Sequence, residues 1–196
     1  MLAVLNGSLV NTLIPAASGL LGVAIGGWAT ALNQKRERRN AHIKSQLSEF
    51  YSPLLGIRSQ IKAKSEVRLK VTTVAGSLWP AKFADIEDPM LKKKITDMDG
   101  PAYDRLQDYN NRQLTDEIVP LYRKMLAIFT ECMWLAEPST MRHYAALVEY
   151  VEIWNRFLDQ SLPREVLQQI EHKEETLKPF YADLEQHFTA LSKRLR

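Results

Sequence analysis

The chain has 196 residues, 45% of them hydrophobic and 25% charged, with a formal net charge of +3. That composition is ordinary for a globular helical protein, with few glycines outside residues 9–32. The single cysteine, Cys132, excludes an internal disulfide and suits a reducing compartment. It falls in an apolar helical run and reads as a buried, inert thiol.

Residues 9–32 come first and carry no charge over 24 positions. As a helix they reach about 36 Å, enough to cross a hydrocarbon core of about 30 Å with some tilt. Lys35, Arg36, Arg38 and Arg39 follow directly, and basic residues flanking a span stay on the cytoplasmic side. Ala29-Thr30-Ala31 resembles a cleavage site, but a removable signal peptide wants a basic n-region and a shorter apolar core. Residues 1–8 hold no Lys or Arg. The reading is an uncleaved single-pass anchor, N-terminus outside, with Trp28 near the inner headgroups. Ser18, Gly22, Gly26 and Thr30 recur every four positions, so they line one stripe along which two anchors pack closely.

About 160 residues, 33–196, remain for one cytoplasmic domain. Charge is graded along it: five basic side chains against one acidic over 33–44, five against two over 45–75, six against nine over 76–120, and ten against eleven over 121–196. Basic charge thus sits next to the membrane, where anionic headgroups attract each Lys or Arg by about 1 kcal/mol. The stretch has no aromatic interleaving, so nucleic acid is not an expected partner.

Residues 34–75 read as a long helix with Leu47, Phe50, Leu54, Ile57 and Ile61 on one apolar stripe, kinked at Pro53. Arg58, Lys62, Lys64, Arg68 and Lys70 are expected on its solvated far side. Residues 76–102 are the least regular, punctuated by Trp79-Pro80, Asp88-Pro89 and Gly100-Pro101. This acidic segment is expected at the tip of the domain remote from the membrane. Trp79, Phe83, Asp85, Glu87 and Asp88 are its candidate contacts to a cytoplasmic partner. A second helix is expected over about 102–135, carrying Tyr103, Leu106, Ile118, Leu121, Met125, Ile128, Phe129 and Cys132 on one side, with Pro120 inside it. A third spans about 139–160, burying Tyr144, Leu147, Val148, Val151, Trp154 and Leu158. The last begins at Pro163 and carries Pro179 inside it. Short breaks at 136–138 and 161–163 force these helices to alternate direction. That order brings Lys193, Arg194 and Arg196 back toward Lys35–Arg39, where all seven meet lipid headgroups.

The sequence offers no Gly-rich phosphate loop, no G-x-S-x-G, no C-x-x-C and no H-E-x-x-H. Asp183 and His187, four apart, supply two of the three or four ligands a metal needs, and read as a solvated face. No cofactor, metal or catalytic residue is expected.

The run Leu47-Ser48-Glu49-Phe50-Tyr51-Ser52-Pro53-Leu54, placed after a charge-free anchor and a basic junction, resembles the juxtamembrane L-x-E-x-Y-x-P-L helix of a loose group of bacterial single-pass membrane proteins. Ile118-Val119-Pro120-Leu121-Tyr122 and Pro163-Arg164-Glu165-Val166 are similar to later stretches of the same proteins. The resemblance implies a bacterial inner-membrane location, no specific activity, and an association with phage-defence or stress systems.

The expected protein is therefore all-α: one N-terminal transmembrane helix within residues 1–32, then a cytoplasmic bundle of about four long, proline-kinked helices over 33–196. Its expected role is non-enzymatic, a self-associating recruiting or sensing module with lipid and protein partners. The alternative is an oligomeric effector whose anchors open a pore or disturb the bilayer.

Overall fold

The computed structural model describes residue 28, residues 30–170 and residues 173–195. Among these the regular structure is entirely helical. No described helix is long and apolar enough to cross a membrane. Residues 9–27 hold most of the expected span, with Ser18, Gly22 and Gly26 of its small-residue stripe, and lie outside the described residues.

The chain divides into two units, the first ending at Ser45 and the second running from Gln46 to Arg194. In the first, residues 30–45 form a helix, α1. Thr30, Lys35, Arg36, Arg38 and Arg39 are exposed on it.

The second unit opens with a π-helical turn, Gln46–Tyr51, that passes into α2, Ser52–Ala81. Then follow α3, Pro89–Gln113, a second π-helical turn, Leu114–Ile118, and α4, Val119–Glu131. Each turn ends two residues before a proline, Pro53 or Pro120, which is the second residue of the next α-helix. Proline lacks the N–H for an i→i−4 bond and crowds the preceding turn. Widening that turn by one residue absorbs the defect, so the expected kinks take the form of π-bulges. Pro179 stands at the second residue of the last helix, α8 (Lys178–Arg194), where a missing N–H costs nothing, and not inside it.

A 3₁₀ turn, Met133–Leu135, and a single helical turn, α5 (Pro138–Met141), lead to α6, Tyr144–Leu158. Gln160 ends α6 in the left-handed region at φ 58°, letting the Ser161 N–H return to the Arg156 carbonyl at 2.9 Å. The long last helix expected from Pro163 is instead α7, Arg164–Gln169, a break, a 3₁₀ turn, Glu174–Leu177, and then α8.

Helices α2, α4, α6 and α8 form the bundle and alternate direction. Phe50 meets Phe129 while Lys64 meets Glu117, so α2 and α4 are antiparallel. Thr130 meets Tyr144 while Arg123 meets Asn155, so α6 turns again. Arg58 meets Tyr181 while Tyr51 meets His187, so α8 returns along α2. Lys193 and Arg194 are accordingly exposed at the bundle end where Gln46 begins; Arg196 lies outside the described residues.

The core is aromatic at its centre. Phe129 packs edge-on against Phe50 at 5.3 Å and stacks on Phe180 at 5.5 Å, and all three are fully buried. Leu54, Ile61, Met125, Leu147, Leu184 and Leu191 extend the core along the bundle, each 1% exposed or less. Burial of such side chains stabilises by about 1.5–3 kcal/mol each. On α6 the buried set is Leu147, Tyr150, Val151 and Ile153, with Tyr144, Val148, Trp154 and Leu158 only half-buried.

Candidate interaction surface

Beyond Ile61 the chain leaves this core as a helical hairpin. The second half of α2 runs out, residues 82–88 turn, and α3 runs back to the π-turn before α4. The irregular segment expected over 76–102 shrinks to that turn. Gly76 and Pro80 lie within α2, and Gly100 and Pro101 within α3. A residue before proline clashes through its Cβ when helical, and Gly100 has none, so α3 passes through Pro101 unbroken.

Across residues 62–117 no apolar side chain is buried; Asn110 alone in that span is. Side-chain contacts close the hairpin instead. Lys64 pairs with Glu117, Asn110 donates from Nδ2 to Thr72 Oγ1 at 3.1 Å, and Lys82 pairs with Asp99. The Asp99 hydrogen bond holds the Lys82 ammonium above its ordinary pKa. Near the tip, Trp79 stands 4.4 Å from the Tyr103 ring and 5.0 Å from Phe83.

The five residues expected to meet a partner all fall on or beside the tip, in different roles. Trp79 and Phe83 are half-buried in the cluster that locks the two helices together. Asp88 caps α3, accepting from the Met90 N–H at 2.9 Å, which satisfies one of the helix's orphan donors. Asp85 and Glu87 are exposed.

Sequence reasoning missed the flank of this hairpin. Val67, Val71, Val74 and Leu78 follow spacings of four, three and four, which put them on one face of α2, and they are 62%, 39%, 50% and 53% exposed. Leu91, Ile95, Met98, Ala102, Leu106 and Tyr109 do the same on α3. Val71, Val74 and Leu78 share a groove of about 350 Å³ with Tyr103 and Leu106, so the two stripes lie on one side of the hairpin. A reading of 34–75 as one stripe ending at Ile61 gave no place to these valines, although their 3–4 spacing was there to be found.

Two polar clusters lie inside the bundle. Asp183 and His187 do not form a solvated face: their side chains are 14% and 22% exposed and point at α5. Thr140 donates to Asp183, Tyr51 shares a hydrogen bond with Thr140 at 3.2 Å, and the Glu137 N–H donates to Tyr51 at 3.0 Å. Ser139 meets His187 Nε2 at 2.7 Å, and Asp183 approaches the same nitrogen at 3.5 Å. A Ser–His–Asp relay needs serine and carboxylate on opposite ring nitrogens. Here both meet one, and the cluster braces α5 between α8 and the first π-turn. Gln46 joins α5's approach, donating to the Leu135 carbonyl at 2.9 Å.

In the second cluster Arg58 lies 3.9 Å over the Tyr181 ring and 3.3 Å from Glu174, so its guanidinium is turned in, not solvated. Tyr181 in turn shares a hydrogen bond with Tyr122, whose ring lies 4.8 Å from Tyr150, and burial pushes all three phenols above their ordinary pKa. Cys132, half-buried at the end of α4, has its thiol pushed up by desolvation and then by Glu49 and Glu131, which disfavours the reactive thiolate. Among the described residues no three His, Cys, Asp or Glu side chains converge as metal ligands.

No protein family, characterised protein or solved structure matches this chain.

Proposed function

We propose that the protein is a non-enzymatic, membrane-anchored interaction module, with residues 9–32 as its inner-membrane span and the hairpin as its contact arm. The arm is the observation that supports this reading. About 30 Å of α2 beyond Ile61 contributes nothing to the core, yet holds a closed, charged tip at a fixed distance from the bundle. Aromatic packing and the Asp88 cap rigidify the tip and leave Asp85 and Glu87 presented to a basic surface of a cytoplasmic protein. Lys35, Arg36, Arg38 and Arg39, with Lys193, Arg194 and Arg196, serve as lipid headgroup contacts. Ser18, Gly22, Gly26 and Thr30 serve as the small-residue stripe of a self-associating anchor. The resemblance to anchored bacterial proteins sets this module in phage defence or a stress response.

Topology gives the first test. A reporter fused after Arg196 should be active only in the cytoplasm, because Lys35 to Arg39 resist translocation. Periplasmic activity would remove the cytoplasmic partner from the proposal. A photo-crosslinker at the exposed Ala84 should then yield a defined adduct with another protein in cells that disappears when Asp85 and Glu87 become lysine. Dye release from liposomes carrying the purified chain would instead favour a membrane-disrupting effector.

A further inference from the structure

The geometry points to a second copy of this chain as the cover for the arm's apolar face: two arms pair into a parallel four-helix bundle with their tips side by side. The arm as it stands is half of such a bundle. Two helices joined by ion pairs, the Asn110–Thr72 hydrogen bond and one aromatic cluster, with no buried apolar side chain over 62–117, lack the packed apolar face that stabilises helices in water. The open stripes of α2 and α3 supply that face, and it is two helices wide, the shape that another helix pair fits.

Size and charge select the occupant. A face about 30 Å long and about 20 Å across removes about 600 Å² of plan area per copy, which reaches the lower end of stable interfaces. Residues 62–82 carry five basic side chains against one acidic, and 83–117 carry five against nine, so the outgoing helix is +4, the returning one −4 and the arm neutral. No net repulsion opposes arm on arm. With the twofold axis running along the arms, each α2 lies on its partner's α3 and opposite charges face each other. With the tips opposed, α2 would lie on α2, +4 against +4. Complementarity therefore chooses the parallel form, which is also the one open to two chains anchored in the same bilayer. The pairing stands on the arm alone and does not depend on the anchor stripe or on a third protein at the tip.

The test uses the full chain in detergent micelles, with Cys132→Ser and a spin label at Ala84→Cys on the exposed tip. Helix spacings of 8–10 Å put the two labels within about 20 Å of each other in the parallel bundle. Opposed tips would stand about 30 Å or more apart. The proposal expects a short tip-to-tip distance that persists in Gly22→Leu/Gly26→Leu and vanishes in Val74→Asp/Leu78→Asp. The aspartates replace half-exposed side chains outside the core, so the helical circular dichroism of the bundle should remain. Dimer affinity should fall at least about tenfold, from charge placed at an apolar contact. Absence of the short distance in the parent chain, or its survival in Val74→Asp/Leu78→Asp, overturns the pairing. Loss only with the glycine pair would assign association to the anchor and overturn it equally.

Discussion

Phe129→Ala should cost about 3–5 kcal/mol and leave the second unit close to unfolded at ambient temperature. The ring is fully buried and touches three others: Phe50 edge-on, Phe180 stacked at an interplanar angle of 19°, and Tyr144 edge-on at 5.3 Å. It therefore links the first π-turn, α4, α6 and α8, the four segments whose agreement defines the bundle. Truncation removes the transfer free energy of the ring and opens a cavity that these elements cannot close without losing one another. Trp134→Ala is the matched control, since that side chain is larger but 66% exposed, and it should change stability by less than about 1 kcal/mol. Urea denaturation followed by circular dichroism separates the two. Equal midpoints for both variants would mean that the aromatic column is not the centre of the core.

How much of this could be read from the residues is a matter of period and phase. The 3–4 spacing of Phe50, Leu54, Ile57 and Ile61 identified the face of α2 that the core takes, and all four are buried. The prolines of Ser161-Leu162-Pro163 and Glu137-Pro138 marked the turns, which fixed the alternation of the bundle helices. The π-turns were illegible, because nothing local separates a proline that bends a helix from one that widens the turn before it. Each π-turn also shifts the phase of the helix. The buried side of α4 becomes Val119, Tyr122, Met125 and Phe129, while Leu121 and Ile128, expected inside, are half-buried. The arm was obscured for another reason. Gly76, Pro80 and the Gly100-Pro101 pair are turn signals by composition, and tertiary closure by Trp79, Phe83 and Tyr103 overrode them. With 76–102 read as irregular, Leu91, Ile95 and Met98 had no long helix on which to join Leu106 and Tyr109 in one stripe. The Asp183–His187 pair was visible as an i, i+4 spacing, but that spacing says which residues share a face and not whether the face is wet.

Stability should fall steeply above about pH 10, driven by the tyrosine cluster. Tyr122, Tyr150 and Tyr181 all have folded-state pKa values raised above the ordinary 10.0, with desolvation as the leading cause for each. For Tyr122 the neighbouring Tyr181 and Tyr150 add to the rise. For Tyr181 a hydrogen bond with Tyr122 and the Arg58 charge pull the other way without cancelling it. The sign follows from linkage. A group whose folded pKa exceeds its unfolded value contributes stability that is fully present below the unfolded pKa and is lost as pH rises through the folded one. Above about pH 10 the unfolded chain releases phenolic protons that the folded chain holds more tightly, so unfolding becomes easier by up to about 4 kcal/mol per pH unit for the three together. Tyr51, raised chiefly by burial, acts in the same direction. Denaturation midpoints measured between about pH 8 and pH 11 should be level at first and then drop sharply. The phenolate absorbance of the buried set should appear together with loss of helix, not before it. Tyr122→Phe keeps the ring and removes one titrating hydroxyl, so its alkaline midpoint should move upward relative to the parent chain. If the three phenols ionise near pH 10 while the bundle stays folded, the cluster is open to water and the buried arrangement of the three tyrosines is wrong.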